Sequence, residues 1–239
     1  TPSNSSAASD VYKRQVFNKI FNSTNLLVSV TGEEEEFSEV NKEFKILYDS
    51  LSEEKLQYNN YEFNFDNRNE AFSTSSKVQY VAKGYNYFKL GYEYSGSMQV
   101  LRTIVNYDYL WNRIRVQGGA YGAFSSFIKN GNMFFVSYRD PNLIKTIEAY
   151  NEAFKYVSEF NPEDREMTKY IIGTISDLDT PLTPAAKGER ATENYLRRIS
   201  YEDRQREREE ILSTNKEAIK AFSDVIKAVS YTHLTLPTN

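Results

Sequence analysis

The spacing of apolar residues predicts the order of elements in the first part of the chain. Asn25–Thr31 is an apolar, β-branched run that predicts a strand. After four glutamates at residues 33–36, apolar side chains recur at steps of three and four, which predicts a helix. They are Phe37, Val40, Phe44, Leu47 and Leu51. Residues 59–76 are polar and predict a loop, and Lys77–Tyr92 predicts one or two strands.

The middle of the chain predicts the core of the fold. Met98–Arg115 is apolar around most of its circumference, which predicts a helix buried on both sides. Ser95 or Ser97 is its expected N-cap, and Gly118-Gly119 is its expected stop. Two strands follow at residues 120–128 and 133–138, since Asn130-Gly131 between apolar runs is a strong hairpin signal.

The last third predicts helices whose starts are marked by turn and capping residues. Asp140-Pro141, Asn161-Pro162 and Thr183-Pro184 each combine a capping residue with a proline suited to the first helical turn. Thr214 and Glu217 have the spacing of a capping box before the last helix. This order of elements predicts an α+β fold, with an antiparallel β-sheet and helices packed against it.

Composition excludes several classes of function. The chain has 239 residues, of which 40% are hydrophobic, so it is long enough to bury a core. Its net charge is −4, which argues against a nucleic-acid interface, and no apolar run has the length of a membrane span. The sequence has no Cys and one histidine, His233, so no zinc motif built from two histidines is present.

The two ends of the sequence do not read as natural protein. With one choice of codons, Asp10–Gln15 and Val229–Leu234 are encoded by a single DNA element in opposite orientations. That element resembles the transposase adapter used to prepare sequencing libraries. Residues 1–15 and 229–239 are therefore expected to be translated adapter, with one natural domain over residues 16–228 and His233 outside it.

One segment combines residues suited to binding or catalysis. Arg115 stands at a helix end, Gly118 and Gly119 follow, and Tyr121-Gly122 begins a strand. An arginine and a tyrosine hydroxyl together can hold a peptide carbonyl or a developing oxyanion, and glycine permits close backbone approach. The spacing equally suits an arginine that complements the helix dipole, a glycine stop and an amphipathic core tyrosine. Both interpretations stand on spacing alone.

Three stretches resemble a known family. Asn106–Gly122, with its Arg-Val-Gln-Gly-Gly-Ala-Tyr-Gly ending, Ser125–Asn142 and Arg165–Arg190 are similar to the C-terminal domain of presequence proteases. These form a branch of the insulinase, or pitrilysin, zinc metallopeptidases. The resemblance covers about Lys77–Ala228, and Val16–Ser76 fits only in the order of its elements.

The resemblance implies a metal-dependent protease that degrades unstructured peptides inside a chamber closed by two halves of one polypeptide. It implies that Arg115 and Tyr121 bind substrate, with Gly118, Gly119 and Gly122 as turn and close-approach positions. Zinc would be bound by a domain absent here, so no metal ligand and no complete catalytic set is expected on this chain, which should be inactive alone. Expected partners are a peptide substrate and the N-terminal half, with no nucleic acid or membrane. The compartment would be the cytoplasm in bacteria, or the mitochondrial matrix or plastid.

Two other functions remain open. The first is a non-catalytic scaffold or substrate-wall domain of the same fold, and the second is a peptide-binding module that uses the many aromatic side chains. The DNA upstream in the parent gene would separate them, since an in-frame inverted zinc motif indicates an enzyme.

Overall fold

The structure is a computed structural model that describes residues 4–55, 57, 59–63 and 69–231. Its helices are α1 (Asn4–Ile20), α2 (Phe37–Asp49), α3 (Ser97–Ile104), α4 (Ile144–Glu159), α5 (Asp164–Leu178), α6 (Pro184–Leu196), α7 (Tyr201–Leu212) and α8 (Lys216–Tyr231). Its strands are β1 (Gln79–Asn86), β2 (Gly122–Phe127) and β3 (Asn132–Asp140). A π-helix, Val105–Val116, continues α3 without a break. The predicted α+β class is confirmed.

The chain divides into two compact units. One comprises Thr1–Phe65 with Pro181–Arg198, and the other comprises Asp66–Thr180 with Ile199–Asn239. The second unit contains the sheet and the helices packed on it. The single natural domain expected over residues 16–228 stays a prediction, and residues 232–239, with His233, lie outside the described part of the chain.

The sheet is antiparallel with strand order β1-β3-β2, so β3 lies in the centre. β2 and β3 form the predicted hairpin, closed at the Asn130-Gly131 turn by a hydrogen bond from the Ile128 amide to the Asn132 carbonyl. Buried side chains alternate along β3 at Met133, Phe135 and Ser137, the period expected when one face of a strand is covered. Asn-Gly chemistry and the two-residue period therefore suffice to specify this hairpin.

The long helix formed by α3 and the π-helix is the centre of the core. Val100, Leu101, Ile104, Val105 and Leu110 have no exposed surface, and the helix contacts β2, α4, α5, α7 and α8. The prediction of burial on both sides holds for these residues but is wrong at Trp111, which is 42% exposed. A π-helix has more residues in each turn than an α-helix, so the register read from α-helical spacing drifts along it.

The long helix ends at the predicted glycine pair. The Gln117 amide donates to the Asn112 carbonyl, five residues back, and the Ala120 amide donates to the Ile114 carbonyl, six residues back. Gly119 between them has φ +77°, a left-handed conformation that glycine adopts without steric cost. These hydrogen bonds span one residue more than in the usual glycine stop of an α-helix, as expected where the helix that ends is a π-helix.

The first unit departs from prediction at its start. Asn25–Thr31 forms no strand: Ser23–Asn25 is a short 3₁₀ turn, and the apolar residues that follow have no regular secondary structure and are about two-fifths exposed. A β-strand requires a neighbour for its backbone groups, and none of the described residues pairs with this segment. The helix expected after the glutamates is confirmed as α2, and its apolar face is largely exposed.

The Lys77–Tyr92 region contains one strand, β1, because a 3₁₀ turn over Tyr87–Leu90 ends at left-handed Gly91 and replaces any second strand. Residues 59–63 and 69–76 contain neither helix nor strand, as predicted for the described part of that loop. The helix expected from Asp140-Pro141 begins later, at Ile144. Asp140 accepts a hydrogen bond from the Asn142 amide and so extends the turn before the helix.

Two predicted caps are wrong in detail. The long helix has Gly96 at its N-cap position; the Gly96 amide donates to Glu210 of α7 at 2.5 Å. The α8 cap is Asn215, whose side chain accepts from the Ala218 amide. Thr214 is buried, and its hydroxyl instead donates to the Glu210 carbonyl and shares a hydrogen bond with the Ser97 hydroxyl. Tertiary packing therefore occupies the hydroxyl that the capping box required.

One other helix start is confirmed, and a second lies close to its predicted position. Thr183 caps α6 as predicted, with its hydroxyl accepting from the Ala186 amide. α5 begins at Asp164 with Glu163 at its N-cap position, so the Asn161-Pro162 pair lies just before the helix and does not form its cap and first turn. The α6 start depends on a local side-chain cap, which is why the sequence is sufficient to predict it.

Candidate functional site

The predicted site residues lie where the long helix turns into β2. Arg115 occupies the last turn of the π-helix and is exposed. Its guanidinium carbon lies 3.9 Å from the centroid of the Trp111 ring, a cation–π contact between positions four residues apart. Trp111 therefore supports the Arg115 side chain at the surface instead of filling the core.

The glycine turn between the long helix and β2 is held by residues that follow β3. The Asn142 side-chain amide donates to the Gly118 carbonyl at 2.5 Å, and a Cβ on Gly118 would approach the Ile114 carbonyl to 2.5 Å. A Cβ on Gly119 would lie 3.7 Å from the ring of Pro141. The segment after β3 thus holds the turn that separates Arg115 from the strand.

Tyr121 lies immediately before β2 and is 59% exposed. Its ring centroid is 5.5 Å from that of Tyr138 on β3, and the guanidinium carbon of Arg139 lies 5.4 Å from the Tyr121 ring. Gly122 is the strand partner of Tyr138, and a Cβ there would lie 2.5 Å from the Tyr138 ring. The absence of a side chain at Gly122 lets the Tyr138 ring lie close over β2 and beside Tyr121.

A buried carboxylate fixes the end of β3 next to this surface. Asp140 has no exposed surface and accepts from the hydroxyls of Ser137 and Thr146 at 2.6 and 2.7 Å and from the Asn142 amide at 2.8 Å. Hydrogen bonds of this kind compensate the cost of removing a carboxylate from water. Asp140 thereby connects β3, the following turn and α4.

The π-helix is also held by contacts of Asp108 with α4 and α5. The hydroxyl of Tyr156 on α4 donates to the Asp108 carboxylate at 3.3 Å, and the hydroxyl of Tyr170 on α5 donates to the same oxygen. Burial, and then the hydrogen bond to Asp108 and its negative charge, raise the pKa of Tyr156 and Tyr170 above the usual tyrosine value. The two tyrosines hold the helix that presents Arg115.

The exposed cations of this surface have no acidic partner within the described chain. Neither Arg115 nor Arg139 forms an ion pair with a carboxylate of residues 4–55, 57, 59–63 or 69–231. Together with Tyr121, they present guanidinium and phenol donors to solvent. Such groups suit carbonyl or carboxylate oxygens of a ligand.

Sequence reasoning missed Trp111, Tyr138 and Arg139 as parts of this surface. The spacing of Trp111 from Arg115 carries a signal, since side chains four residues apart share a helix face. Tyr138 could be found only from the β2–β3 register. Arg139 has no local signal, because its position depends on backbone geometry at the end of β3.

The described residues do not fit a zinc ion. None of them forms a group of three or more His, Cys, Asp or Glu side chains able to hold a metal.

No helix in the described part of the chain is long and apolar enough to cross a membrane.

Comparisons with known proteins agree on one family. The family model of the PreP C-terminal domain matches residues 69–234. Protein HypA of Clostridium perfringens is 46% identical over 222 residues, which cover 93% of this chain and 23% of that protein. Presequence protease 1, chloroplastic/mitochondrial, of Arabidopsis thaliana is 40% identical over 163 residues, covering 68% of this chain and 15% of that protein.

The chain thus spans less than a quarter of the length of these two relatives. Among solved structures, pitrilysin matches 60% of the chain with a TM-score of 0.45 and 16% identity, a level that adds nothing to the family match.

Proposed function

The chain belongs to the family of PreP C-terminal domains, and we propose that it is the substrate-positioning part of a zinc metalloendopeptidase that degrades unstructured peptides. Arg115 and Tyr121 bind the peptide in this proposal, and Gly118, Gly119 and Gly122 shape the backbone between and beside them. The observation that carries the proposal is the pair itself: both side chains are exposed on one helix–turn–strand segment, which Asn142 and Tyr138 contact.

The chemistry of the pair is hydrogen-bond donation. The Arg115 guanidinium is permanently charged and its packing on Trp111 limits its rotamers, so less conformational entropy is lost when it binds. The Tyr121 hydroxyl is a second donor. Two such donors can fix a peptide carbonyl and favour the negative charge that develops on its oxygen during hydrolysis.

The rest of the enzyme is proposed to lie in the longer polypeptide. Both named relatives are several times longer than the matched segment, and the zinc site would belong to an N-terminal half that closes over the peptide. This chain alone is then inactive. A bacterial parent would act in the cytoplasm, and an organellar parent in the mitochondrial matrix or plastid.

Two assays test the proposal. The purified chain, supplied with zinc and an unstructured peptide, is expected to show no chelator-sensitive cleavage. In the longer polypeptide that carries this chain, Tyr121→Phe and Arg115→Ala are expected to lower turnover by about tenfold or more without unfolding the protein. Tyr107→Phe is the matched control, since Tyr107 is a 67% exposed tyrosine on the π-helix that carries Arg115.

Unchanged turnover in both variants would contradict the proposed roles. Arg115 would then be interpreted as a complement to the helix dipole, and Tyr121 as an amphipathic core residue after a glycine stop. Turnover that is absent from the unaltered longer polypeptide would favour the scaffold function.

A further inference from the structure

The end of β3 contains a bulge that determines where Arg139 points. Gln79 pairs with Asp140 and Val81 pairs with Ser137, so the single residue Tyr80 on β1 opposes two residues, Tyr138 and Arg139, on β3. An extra residue of this kind bends the strand and redirects a side chain. Bulges are frequent beside active sites for that reason.

The bulge places Arg139 in a backbone conformation that is unfavourable for its residue type. Its φ is +47°, in the left-handed region where a Cβ crowds the following carbonyl. Glycine would adopt this conformation without that cost. Such a conformation is retained when surrounding structure enforces it, and it is common where a side chain has a function.

In this conformation the Arg139 side chain packs against Tyr121. Its guanidinium carbon lies 5.4 Å from the centroid of the exposed Tyr121 ring, within the range of a cation–π contact. The adjacent carboxylate, Asp140, is buried and bonded to Ser137, Thr146 and Asn142. The guanidinium of Arg139 is exposed and forms no ion pair with any carboxylate in the described chain.

We propose that Arg139 binds a carboxylate of the peptide next to the position held by Tyr121. This deepens the proposed function and rests on it. A guanidinium presents parallel N–H donors that match the two oxygens of a carboxylate, and one held against an aromatic ring keeps its edge free for them. The substrate class is therefore an unstructured peptide with an acidic side chain or a free C-terminus near the bond that is positioned.

The chain offers a matched pair of variants for the test. Arg139→Gly removes the guanidinium and relieves the left-handed backbone. Arg198→Gly does the same at an exposed arginine with φ +54° beyond the end of α6. Both variants should be at least as stable as the unaltered chain, so a loss of binding in only the first cannot come from unfolding.

The measurement is fluorescence anisotropy of a labelled unstructured peptide with one internal glutamate and a free C-terminus, titrated with the 239-residue chain. Arg139→Gly is expected to raise Kd by about tenfold, the effect of losing one charge-assisted pair, and Arg198→Gly to leave it unchanged. A peptide with an amidated C-terminus and another with glutamine in place of glutamate identify which carboxylate binds. One of them should bind the unaltered chain as weakly as the parent peptide binds Arg139→Gly.

An unchanged Kd for Arg139→Gly would overturn the inference while leaving the proposed function in place. The inference would also be overturned if Arg139→Gly raised Kd by the same factor for a peptide that lacks both carboxylates, since Arg139 would then recognise another group. Absence of binding to the unaltered chain would overturn peptide binding by this chain, and the carboxylate site with it.

Discussion

The side chain of Asn106 bonds to Ser125 as a neighbouring strand would. Its Oδ1 accepts from the Ser125 amide at 2.6 Å and from the Ser125 hydroxyl at 2.8 Å, and its Nδ2 donates to the Ser125 carbonyl at 3.3 Å. Ser125 lies in β2, an edge strand of the sheet. One side-chain amide at the start of the π-helix thereby satisfies the backbone groups of Ser125 and connects the helix that carries Arg115 to the strand that follows Tyr121.

Asn106→Ala is expected to lower the free energy of unfolding by about 1–3 kcal/mol, because the buried Ser125 amide loses its partner. Denaturant titration of the purified chain measures the change. Asn112→Ala is the control: Asn112 is an exposed asparagine on the same helix whose side chain bonds only locally, to the Asp108 carbonyl. Equal stability of the two variants would show that Asn106 does not fix β2.

Gly122→Ala is expected to cost about 1–3 kcal/mol, since the new methyl group would lie 2.5 Å from the Tyr138 ring and displace it. Combining it with Tyr138→Ala removes the obstructing ring, so the two effects should be less than additive. Denaturation of the single and double variants forms the cycle. Strict additivity would show that the ring does not pack over Gly122.

Stability is expected to fall at alkaline pH in a way that depends on Tyr109. Its hydroxyl donates to the Ala149 carbonyl at 2.6 Å, and burial raises the pKa of Tyr109 from 10.0 to about 12. A group with a raised folded-state pKa contributes its full stability below the unfolded value. That contribution is lost as pH rises from about 10 through about 12.

Tyr109→Phe should therefore be less stable than the unaltered chain at pH 8 and should show a shallower decline above pH 10. Urea denaturation at a series of pH values from 8 to above 10 measures both the stability difference at pH 8 and the slope of the decline. Tyr195→Phe, a change at a side chain that is 70% exposed, is the control and should follow the unaltered chain. A parallel decline in Tyr109→Phe would rule out this tyrosine as the source.

Prediction from sequence worked where the determining chemistry is local. Thr183 caps α6 and Asn130-Gly131 closes the hairpin, because in each case the residues that decide the geometry are adjacent in the chain. It failed at Thr214, which has the spacing of a cap but whose hydroxyl shares a hydrogen bond with Ser97 of α3. It failed as well at Asn25–Thr31, where strand propensity meets no pairing partner in the described chain.

For the candidate site, the sequence placed Arg115, the glycine turn and Tyr121 on one helix–turn–strand segment, because the helix periodicity, the stop signal and the following strand are contained in one short stretch. Their assignment as substrate-binding residues came from the family resemblance and stays a prediction. Only the tertiary structure placed Tyr138 and Arg139 against Tyr121. Those contacts depend on the register between strands and on the bulge opposite Tyr80. Register is set by the pairing of backbone groups from segments that are distant in the chain, so the residues next to Tyr121 in the sequence do not predict it.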